Sequence, residues 1–198
     1  MSPPDRFDAA YYRRFYGSRP VHDRKRIGLL AASITNMAAW WRIPIRSVLD
    51  VGAGKGYWRD WLAAERPNVR YEGLDVSGYA CRRYGHTHAD LATWQPTRRY
   101  DLVICQSVIQ YLDGAQAADA LDALGEACNG LLFLEVPTIA DRGGVIDPDG
   151  TDLDVHWRSG DWYRVRLDRH FVALGCGLWA SRRQPVAFFE LERAAPGR

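Results

Sequence analysis

A short apolar run that leads directly into a glycine-rich turn constrains the fold of this chain most strongly: Ser47-Val-Leu-Asp-Val-Gly-Ala-Gly-Lys-Gly56. Val48–Val51 predicts a buried strand, and a helical pattern begins at about Tyr57. Glycine has no Cβ and tolerates positive φ, so such a turn lets a ligand approach the backbone closely. The helix that follows offers unpaired N–H groups to the ligand's polar atoms. The stretch therefore predicts a site for a nucleotide-like cofactor.

Strand-like and helical patterns alternate from Ser47 onward. The predicted strands are Val48–Val51, Arg70–Leu74, Leu102–Ile104, Gly130–Glu135, Gly177–Ser181 and Ala187–Leu191. The predicted helices are Tyr57–Arg66, Gly78–Tyr84, Ala115–Cys128 and Gly160–Phe171. This order indicates an α/β fold with a mostly parallel sheet that helices cover on both faces. Right-handed crossovers then place the carboxyl ends of the parallel strands, and the ligand, at one edge.

Two helices are expected before the sheet. One is the aromatic segment Arg6–Tyr16, and the other covers about Val21–Trp41 until Pro44 stops it. Residues 1–44 would then form a helical cap on a core of residues 45–192. At 198 residues, the whole chain is expected to be a single domain with a substantial core.

Composition narrows the classes of partner. The net charge is +2, and the arginines are scattered rather than arranged in a basic stripe, which argues against nucleic acid. The N-terminal sequence Met-Ser-Pro-Pro-Asp-Arg lacks the apolar core of a signal peptide, and the apolar stretch Ile27–Trp41 is too short to span a bilayer. Four widely separated cysteines fit reduced thiols. We expect a cytoplasmic monomer or homodimer with a small-molecule partner and no membrane contact.

The spacing of the glycines distinguishes between cofactors. Gly52, Gly54 and Gly56 give G-x-G-x-G, with Asp50 two positions before the first glycine. A dinucleotide-binding fold instead needs G-x-G-x-x-G, where the third glycine allows close packing of the helix on the strand. The loop therefore favours another cofactor.

Further motifs follow in a fixed order. Asp75 ends the second strand, Asp90-Leu91 follows, and the strand Tyr100-Asp-Leu-Val-Ile-Cys105 leads into Gln106-Ser-Val-Ile-Gln-Tyr111. Together with the glycine loop, these stations resemble the class I S-adenosylmethionine-dependent methyltransferases over about residues 45–192. The resemblance implies a Rossmann-like, mostly parallel seven-stranded sheet with a C-terminal antiparallel hairpin.

The resemblance also implies the cofactor S-adenosyl-L-methionine, with S-adenosyl-L-homocysteine as the product. In this family pattern, Asp75 accepts both ribose hydroxyls, Asp90 and Leu91 contact adenine, and Gln106–Tyr111 lies beside the sulfonium. Asp50 can also simply stabilise the turn. Tyr12 and Tyr16 either cover the methionine end of the cofactor or pack as core. The expected cofactor-binding residues are Asp50, Gly52, Ala53, Gly54, Gly56, Asp75, Val76, Asp90, Leu91, Gln106, Ser107, Tyr12 and Tyr16.

The expected reaction is methyl transfer by in-line displacement to an oxygen, nitrogen or carbon atom of a small molecule. His156 is the first candidate for a general base, because imidazole titrates near neutral pH, and Glu135 is the second. Residues 136–158 form a long loop rich in carboxylates, which is either a substrate lid or a solvated surface loop. The residues expected to contact the acceptor are Gln110, Tyr111, Trp157 and Tyr163.

Other readings of the sequence are weaker. His86-Thr-His88-Ala-Asp90 resembles the start of an H-x-H-x-D-H metal site, but residue 91 is leucine, so no metal is expected. The alternatives to an active methyltransferase are a catalytically weak or inactive methyltransferase-like scaffold and, less favoured, a nicotinamide-dependent oxidoreductase.

Overall fold

The computed structural model describes residues 6–17 and 20–194. The expectation about a signal peptide concerns residues that lie mostly outside this range. The helices are α1 (Ala9–Phe15), α2 (Arg24–Trp40), α3 (Tyr57–Glu65), α4 (Gly78–Tyr84), α5 (Gly114–Ala127) and α6 (Gly160–Leu167). The strands are β1 (Ser47–Val51), β2 (Arg70–Asp75), β3 (Thr87–His88), β4 (Tyr100–Gln106), β5 (Cys128–Glu135), β6 (Phe171–Gly175) and β7 (Leu178–Ser181). Short 3-10 helices cover Ile109–Tyr111, Ile139–Gly143 and Glu190–Glu192.

The strands form one seven-stranded sheet in the order β3-β2-β1-β4-β5-β7-β6. The first five strands in this order are parallel, and β7 is antiparallel to both β5 and β6. The predicted fold class is therefore confirmed. The chain connections run in opposite directions from β1 and β4, which are neighbours in the sheet. Open α/β sheets bind ligands at such a point, in the crevice at the carboxyl ends of the strands.

Both faces of the sheet are buried, which explains why its central strands are apolar without alternation. On β4, Val103 and Cys105 belong to the core cluster that includes α5 and α6. Leu102 and Ile104 point the other way, into the cluster that includes α2 and α3. All four side chains have no exposed surface, so β4 is fixed in the middle of the molecule.

Aspartates define where the two N-terminal helices begin. The side chain of Asp8 accepts the backbone N–H groups of Ala10 and Tyr11, and that of Asp23 accepts the N–H of Arg26. Both predicted N-terminal helices are present, each shorter than predicted. No helix within the described residues is long and apolar enough to cross a membrane.

The predicted C-terminal hairpin is wrong in its pairing. The sequence predicts a hairpin of Gly177–Ser181 and Ala187–Leu191, but the structure pairs β6 with β7. Gly175, Cys176 and Gly177 all have positive φ (90°, 50° and 76°), so they form the tight turn between these strands rather than the start of one.

The predicted helix Gly160–Phe171 is correspondingly too long. The observed helix α6 ends at Leu167, and Phe171 begins β6 with its side chain completely buried. The edge strand β3 has only two residues, and no strand pattern in the sequence indicates it.

Candidate active site

The glycine loop after β1 is folded tightly against the end of β2. The N–H groups of Gly52 and Ala53 both donate to the carbonyl oxygen of Leu74, at 2.8 and 3.0 Å. Gly52, Gly54 and Gly56 have φ values of 71°, 53° and 72°. A Cβ on Gly52 would lie 2.2 Å from Cγ2 of Val108, so both the backbone conformation and the space require glycine there.

Asp75 at the end of β2 fixes this loop from the opposite side. Its Oδ2 accepts the N–H of Gly54 and its Oδ1 accepts the N–H of Ser77, both at 2.8 Å. Burial raises the pKa of Asp75, and these two hydrogen bonds only partly oppose the shift. Each carboxylate oxygen can accept more than one hydrogen bond, so Asp75 keeps acceptor capacity for a ligand's hydroxyl groups.

A first pocket lies above the carboxyl ends of β1, β2 and β4. The predicted cofactor-binding residues that line it are Gly52, Gly54, Asp75, Val76, Asp90, Leu91, Gln106, Ser107, Tyr12 and Tyr16. Val108 and Tyr111, from the segment expected beside the sulfonium, also line it. The remaining lining residues were not predicted to contact the cofactor, namely Phe7, Tyr11, Val51, Leu74, Ala89, Trp94 and Leu112.

Asp50, Ala53 and Gly56 do not line this pocket. Asp50 is buried behind the loop, where the hydroxyl of Tyr71 donates to its Oδ2 at 2.7 Å. Burial raises the pKa of Asp50 to about 7, although the Tyr71 hydrogen bond opposes the shift. The carbonyl of Ala53 accepts the N–H of Gly56, which lies at the N-cap of α3. The geometry gives these three residues a part in shaping the loop.

A turn formed by residues 90–94 lies in the wall of the first pocket. The side chain of Asp90 accepts the N–H of Ala92 at 2.9 Å, and its carbonyl accepts the N–H of Trp94 at 2.9 Å. This turn presents Leu91 and Trp94 to the pocket as an apolar surface. In the sequence, Trp94 is marked only by being an aromatic residue four positions after Asp90.

The helix α1 covers the first pocket with aromatic rings. The ring of Tyr12 stacks against those of Tyr16 and Tyr79, with centroids 5.3 and 5.4 Å apart. Burial raises the pKa of Tyr12 and of Tyr16, so both hydroxyls stay protonated. The ammonium group of Lys55 donates to the carbonyl of Tyr16 at 2.7 Å and joins α1 to the glycine loop. Tyr12 and Tyr16 therefore pack against neighbouring rings and also line the first pocket.

The two histidines of the rejected metal pattern contact backbone oxygens. Nε2 of His86 lies 3.0 Å from the carbonyl of Gly54, and Nε2 of His88 lies 3.0 Å from that of Val76. In the part of the chain that the structure describes, no three His, Cys, Asp or Glu side chains group as metal ligands would.

A second pocket adjoins the first, and Tyr11, Tyr16, Ser107 and Tyr111 line both. Ser107 has a φ of 57°, a strained conformation for a residue other than glycine. Residues 136–158, the predicted lid, contribute nine residues to the second pocket: Val136, Pro137, Asp141, Val145, Ile146, Asp147, Gly150, Thr151 and Asp152. The remaining lining residues are Phe15, Pro20, Val21, His22, Arg26, Gln110 and Glu135.

Glu135, at the end of β5, lines the second pocket and has three side-chain partners. Its Oε1 lies 2.7 Å from Nε2 of His22, and Gln106 and Ser107 each donate to it at 3.3 Å. These interactions outweigh burial and lower the pKa of Glu135. His22 cannot be recognised as a site residue from the sequence, because its local pattern does not reveal a partner so far along the chain.

Gln110 and Tyr111 lie where an acceptor site was predicted. Gln110 is only 4% exposed and lines the second pocket, while Tyr111 lines both pockets. The hydroxyls of Tyr111 and Tyr11 are 2.8 Å apart, and the guanidinium of Arg6 lies 4.9 Å from the Tyr111 ring centre.

The predicted base His156 and the other two predicted acceptor residues lie outside both pockets. His156 is exposed and lines neither pocket, and it is tied to the core by its backbone N–H, which donates to the carbonyl of Gln110 at 2.8 Å. Trp157 also lines neither pocket, and its ring packs under the guanidinium of Arg142 at 4.8 Å. Tyr163 is 3% exposed and belongs to the core.

Buried Arg158 explains why this segment turns away from the pockets. Its guanidinium donates to the carbonyls of Leu112 and Ile109 and to the hydroxyl of Tyr163. These contacts hold the end of residues 136–158 against the core. Loop position alone does not reveal this direction, so the sequence does not show that the His156 side chain is exposed.

Known proteins were compared with this fold and site. A family model described as a methyltransferase domain matches residues 22–179. The trans-aconitate 2-methyltransferase of Methylobacterium radiotolerans is 27% identical over 161 residues, which cover 76% of this chain and 58% of that protein. The corresponding enzyme of Paracidovorax citrulli is 27% identical over 143 residues, which cover 66% of this chain and 50% of that protein. The chain thus spans about half the length of these curated relatives.

Solved structures share the fold at lower identity. Magnesium protoporphyrin IX methyltransferase from Synechocystis PCC 6803, with S-adenosylmethionine bound, is 18% identical with a TM-score of 0.58, covering 87% of this chain and 85% of that chain. An S-adenosylmethionine-dependent methyltransferase from Clostridium acetobutylicum is 13% identical with a TM-score of 0.59, covering 81% and 84%. Because the family model spans most of the sequence, the resemblance seen in the motifs is confirmed and the chain belongs to the methyltransferase-domain family.

Proposed function

We propose that this protein is an S-adenosylmethionine-dependent methyltransferase that binds the cofactor in the first pocket and a small-molecule acceptor in the second. The observation that carries this proposal is the convergence of Asp75 and the glycine loop on one pocket that shares a wall with another. A scaffold without activity would not need this shared wall, and the strained backbone of Ser107 lies within it.

The chemistry of the first pocket fits the proposed cofactor. Asp75 offers carboxylate oxygens for ribose hydroxyls, and Leu91 and Trp94 offer a flat apolar surface for adenine. A Cβ on Gly54 would lie 3.9 Å from the hydroxyl of Tyr12, so glycine there keeps this part of the pocket clear. When bound, the cofactor supplies a methyl group already activated by a sulfonium.

The contribution of the protein is then mainly alignment and the exclusion of water. Orientation alone can supply about 7–11 kcal/mol of rate acceleration. Tyr12 and Tyr16 cover the first pocket, while Ser107 and Tyr111 border both pockets, where the methyl group would cross. We propose that residues 136–158 act as the lid that closes the acceptor side.

The curated relatives are named for trans-aconitate, which carries three carboxyl groups. The second pocket of this chain is itself lined by the carboxylates of Glu135, Asp141, Asp147 and Asp152. Because like charges in a shared site repel each other, we propose an acceptor other than a polycarboxylate.

Calorimetric titration with S-adenosylmethionine tests the proposal. We expect the wild type to bind, and Asp75→Ala to bind at least about 10-fold more weakly, since hydrogen bonds to a charged group contribute about 1.5–3 kcal/mol. Asp75→Asn keeps the shape of the side chain and separates loss of charge from distortion of the loop. Asp161→Ala, at an exposed aspartate on α6, is the control and should bind as the wild type does.

The same titration separates the rival functions. Undetectable binding of S-adenosylmethionine by the wild type would refute the proposal and favour a scaffold. Binding of a nicotinamide dinucleotide instead would favour an oxidoreductase. Unchanged affinity in Asp75→Ala, with the far-ultraviolet circular dichroism of the wild type, would refute the ribose assignment alone.

A further inference from the structure

A histidine–carboxylate pair lies at the edge of the second pocket nearest the first. Nε2 of His22 is 2.7 Å from Oε1 of Glu135, and the His22 side chain is 25% exposed. Gln106 and Ser107, which hold Glu135, also line the first pocket. The pair is therefore attached to the segment beside which the methyl group would be presented.

The two members of this pair suit different tasks. The lowered pKa of Glu135 keeps its carboxylate ionised and makes it a poor proton acceptor. An imidazole ordinarily titrates near neutral pH, which is where a general base is most effective. With Glu135 accepting the proton of Nε2, the lone pair of the neutral His22 ring is on Nδ1. The arrangement favours His22 as the base and Glu135 as the residue that orients it.

An unpaired amide oxygen lies in the wall of the same pocket. Gln110 is 4% exposed, and its Oε1 has no hydrogen-bond partner among the described residues. A buried acceptor left unpaired is unfavourable, so a turn of the Gln110 amide towards a ligand that donates a hydrogen bond would be favoured. Tyr11, Phe15 and Tyr16 add aromatic surface for a flat ligand body.

Carboxylates outnumber cations around the second pocket. The titratable and charged groups that line it with His22 are Glu135, Asp141, Asp147, Asp152, Arg26, Tyr11, Tyr16 and Tyr111. Arg6 pairs with Asp152 at 2.9 Å and so neutralises one of the four carboxylates. The remaining imbalance opposes an anionic ligand and tolerates a neutral or cationic one.

Granted the proposed function, we infer that the acceptor is a neutral or cationic molecule with a hydroxyl or amino group, and that His22 is the general base that removes the proton of that group. A lone pair on the acceptor oxygen or nitrogen forms the new bond to the methyl carbon. The bond from that carbon to the sulfonium sulfur breaks, and its electron pair stays on sulfur. The acceptor proton moves to Nδ1 of His22, and the Glu135 carboxylate stabilises the resulting imidazolium.

Binding of a matched set of small aromatic compounds tests the acceptor class without turnover. The probes are 4-methylphenol, benzylamine and 4-methylbenzoate, each followed by saturation-transfer NMR with S-adenosylhomocysteine present. We expect the phenol and the amine to bind at least about 10-fold more tightly than the benzoate, a difference of about 1.4 kcal/mol.

Methylation of the phenol and the amine tests the role of His22 as the base. It is measured as transfer of a tritiated methyl group from S-adenosylmethionine. General-base catalysis is worth about 100- to 10,000-fold, so His22→Gln should lower kcat by at least about 100-fold. Its affinity for S-adenosylmethionine should stay within about twofold, and the limb of the pH profile that reports imidazole ionisation should disappear. Glu135→Gln should lower kcat about 10-fold, because the base loses orientation but remains present.

The chain contains a matched control pair. Nε2 of His170 lies 3.0 Å from Oδ1 of Asp122, outside both pockets, so His170→Gln removes a similar contact and should leave kcat and its pH profile unchanged. If S-adenosylmethionine binds but the benzoate binds best, or neither the phenol nor the amine is methylated, the acceptor class is wrong. A kcat of His22→Gln within about threefold of the wild type overturns the role of His22. Absence of S-adenosylmethionine binding instead overturns the proposed function.

Discussion

Asp50 is held almost out of contact with water, with the hydroxyl of Tyr71 as its hydrogen-bond donor. Burial raises the pKa of Asp50 to about 7, and the nearby carboxylate of Asp75 adds to the shift. In the unfolded chain the same carboxyl titrates near 3.8. Between these two values the folded protein holds a proton that the unfolded chain has released. The stabilising effect of this proton is therefore complete below about pH 4 and is lost as the pH rises towards 7.

Asp50→Asn should remove this dependence while preserving the shape of the side chain. We expect the wild type to lose stability relative to the variant by on the order of 1 kcal/mol per pH unit between pH 4.5 and pH 7. Urea unfolding of both proteins at several pH values measures the difference, and groups that do not interact with Asp50 cancel in the comparison. Parallel pH profiles would show that Asp50 titrates alike in the folded and unfolded states.

The helices and strands are where the sequence-based predictions agree best with the structure, and their disagreements have a clear cause. The strands β1, β4 and β5 were predicted because each is a largely apolar run with a turn signal at its end, and β2 because a strand-like segment alternates there with two helical patterns. The last hairpin was not, because the sequence offers both Phe171–Gly175 and Ala187–Leu191 as possible partners for Leu178–Ser181. The structure selects Phe171–Gly175, since Val172 lies opposite Ala180 in the sheet while Phe189 is 82% exposed. Contacts between distant segments are invisible to a local pattern.

Two glycines in α5 should respond oppositely to the same substitution. A Cβ on Gly125 would lie 2.3 to 2.7 Å from ring atoms of His170, whereas a Cβ on Gly114 would meet no atom within 4 Å. Gly125→Ala should therefore destabilise the protein by about 1–3 kcal/mol, because overpacking outweighs the gain in helix propensity. Gly114→Ala should be neutral or stabilise it by up to about 1 kcal/mol. Thermal unfolding of the two variants measures this, and equal effects would contradict close packing of α5 against the His170 ring.

Across the whole molecule, the site is assembled from segments at the carboxyl edge of the sheet and from the N-terminal helices. Ten of the thirteen predicted cofactor residues line the first pocket, because position after a strand can be read from the sequence. The acceptor side was harder to predict. His22 reaches Glu135 only through the placement of the N-terminal segment, and His156 is turned outward by the buried Arg158 beneath it. Side-chain direction in a loop depends on such packing.

Arg6 joins the N-terminal segment to the proposed lid and so bears on how the whole site closes. Its guanidinium contacts the carboxylates of Asp152 at 2.9 Å and Asp154 at 3.2 Å. In the first pair, the Arg6 side chain is 24% exposed and the Asp152 side chain 13% exposed. Arg6→Ala should make the amides of Asp154 and Val155 exchange with solvent about fivefold faster, because a pair of this exposure contributes at most ~1 kcal/mol. Hydrogen exchange followed by mass spectrometry measures this. Arg164→Ala removes an exposed pair on α6 and should leave the same amides unchanged. Wild-type exchange in Arg6→Ala would mean that residues 136–158 are held closed by their own contacts, independently of the N-terminal segment.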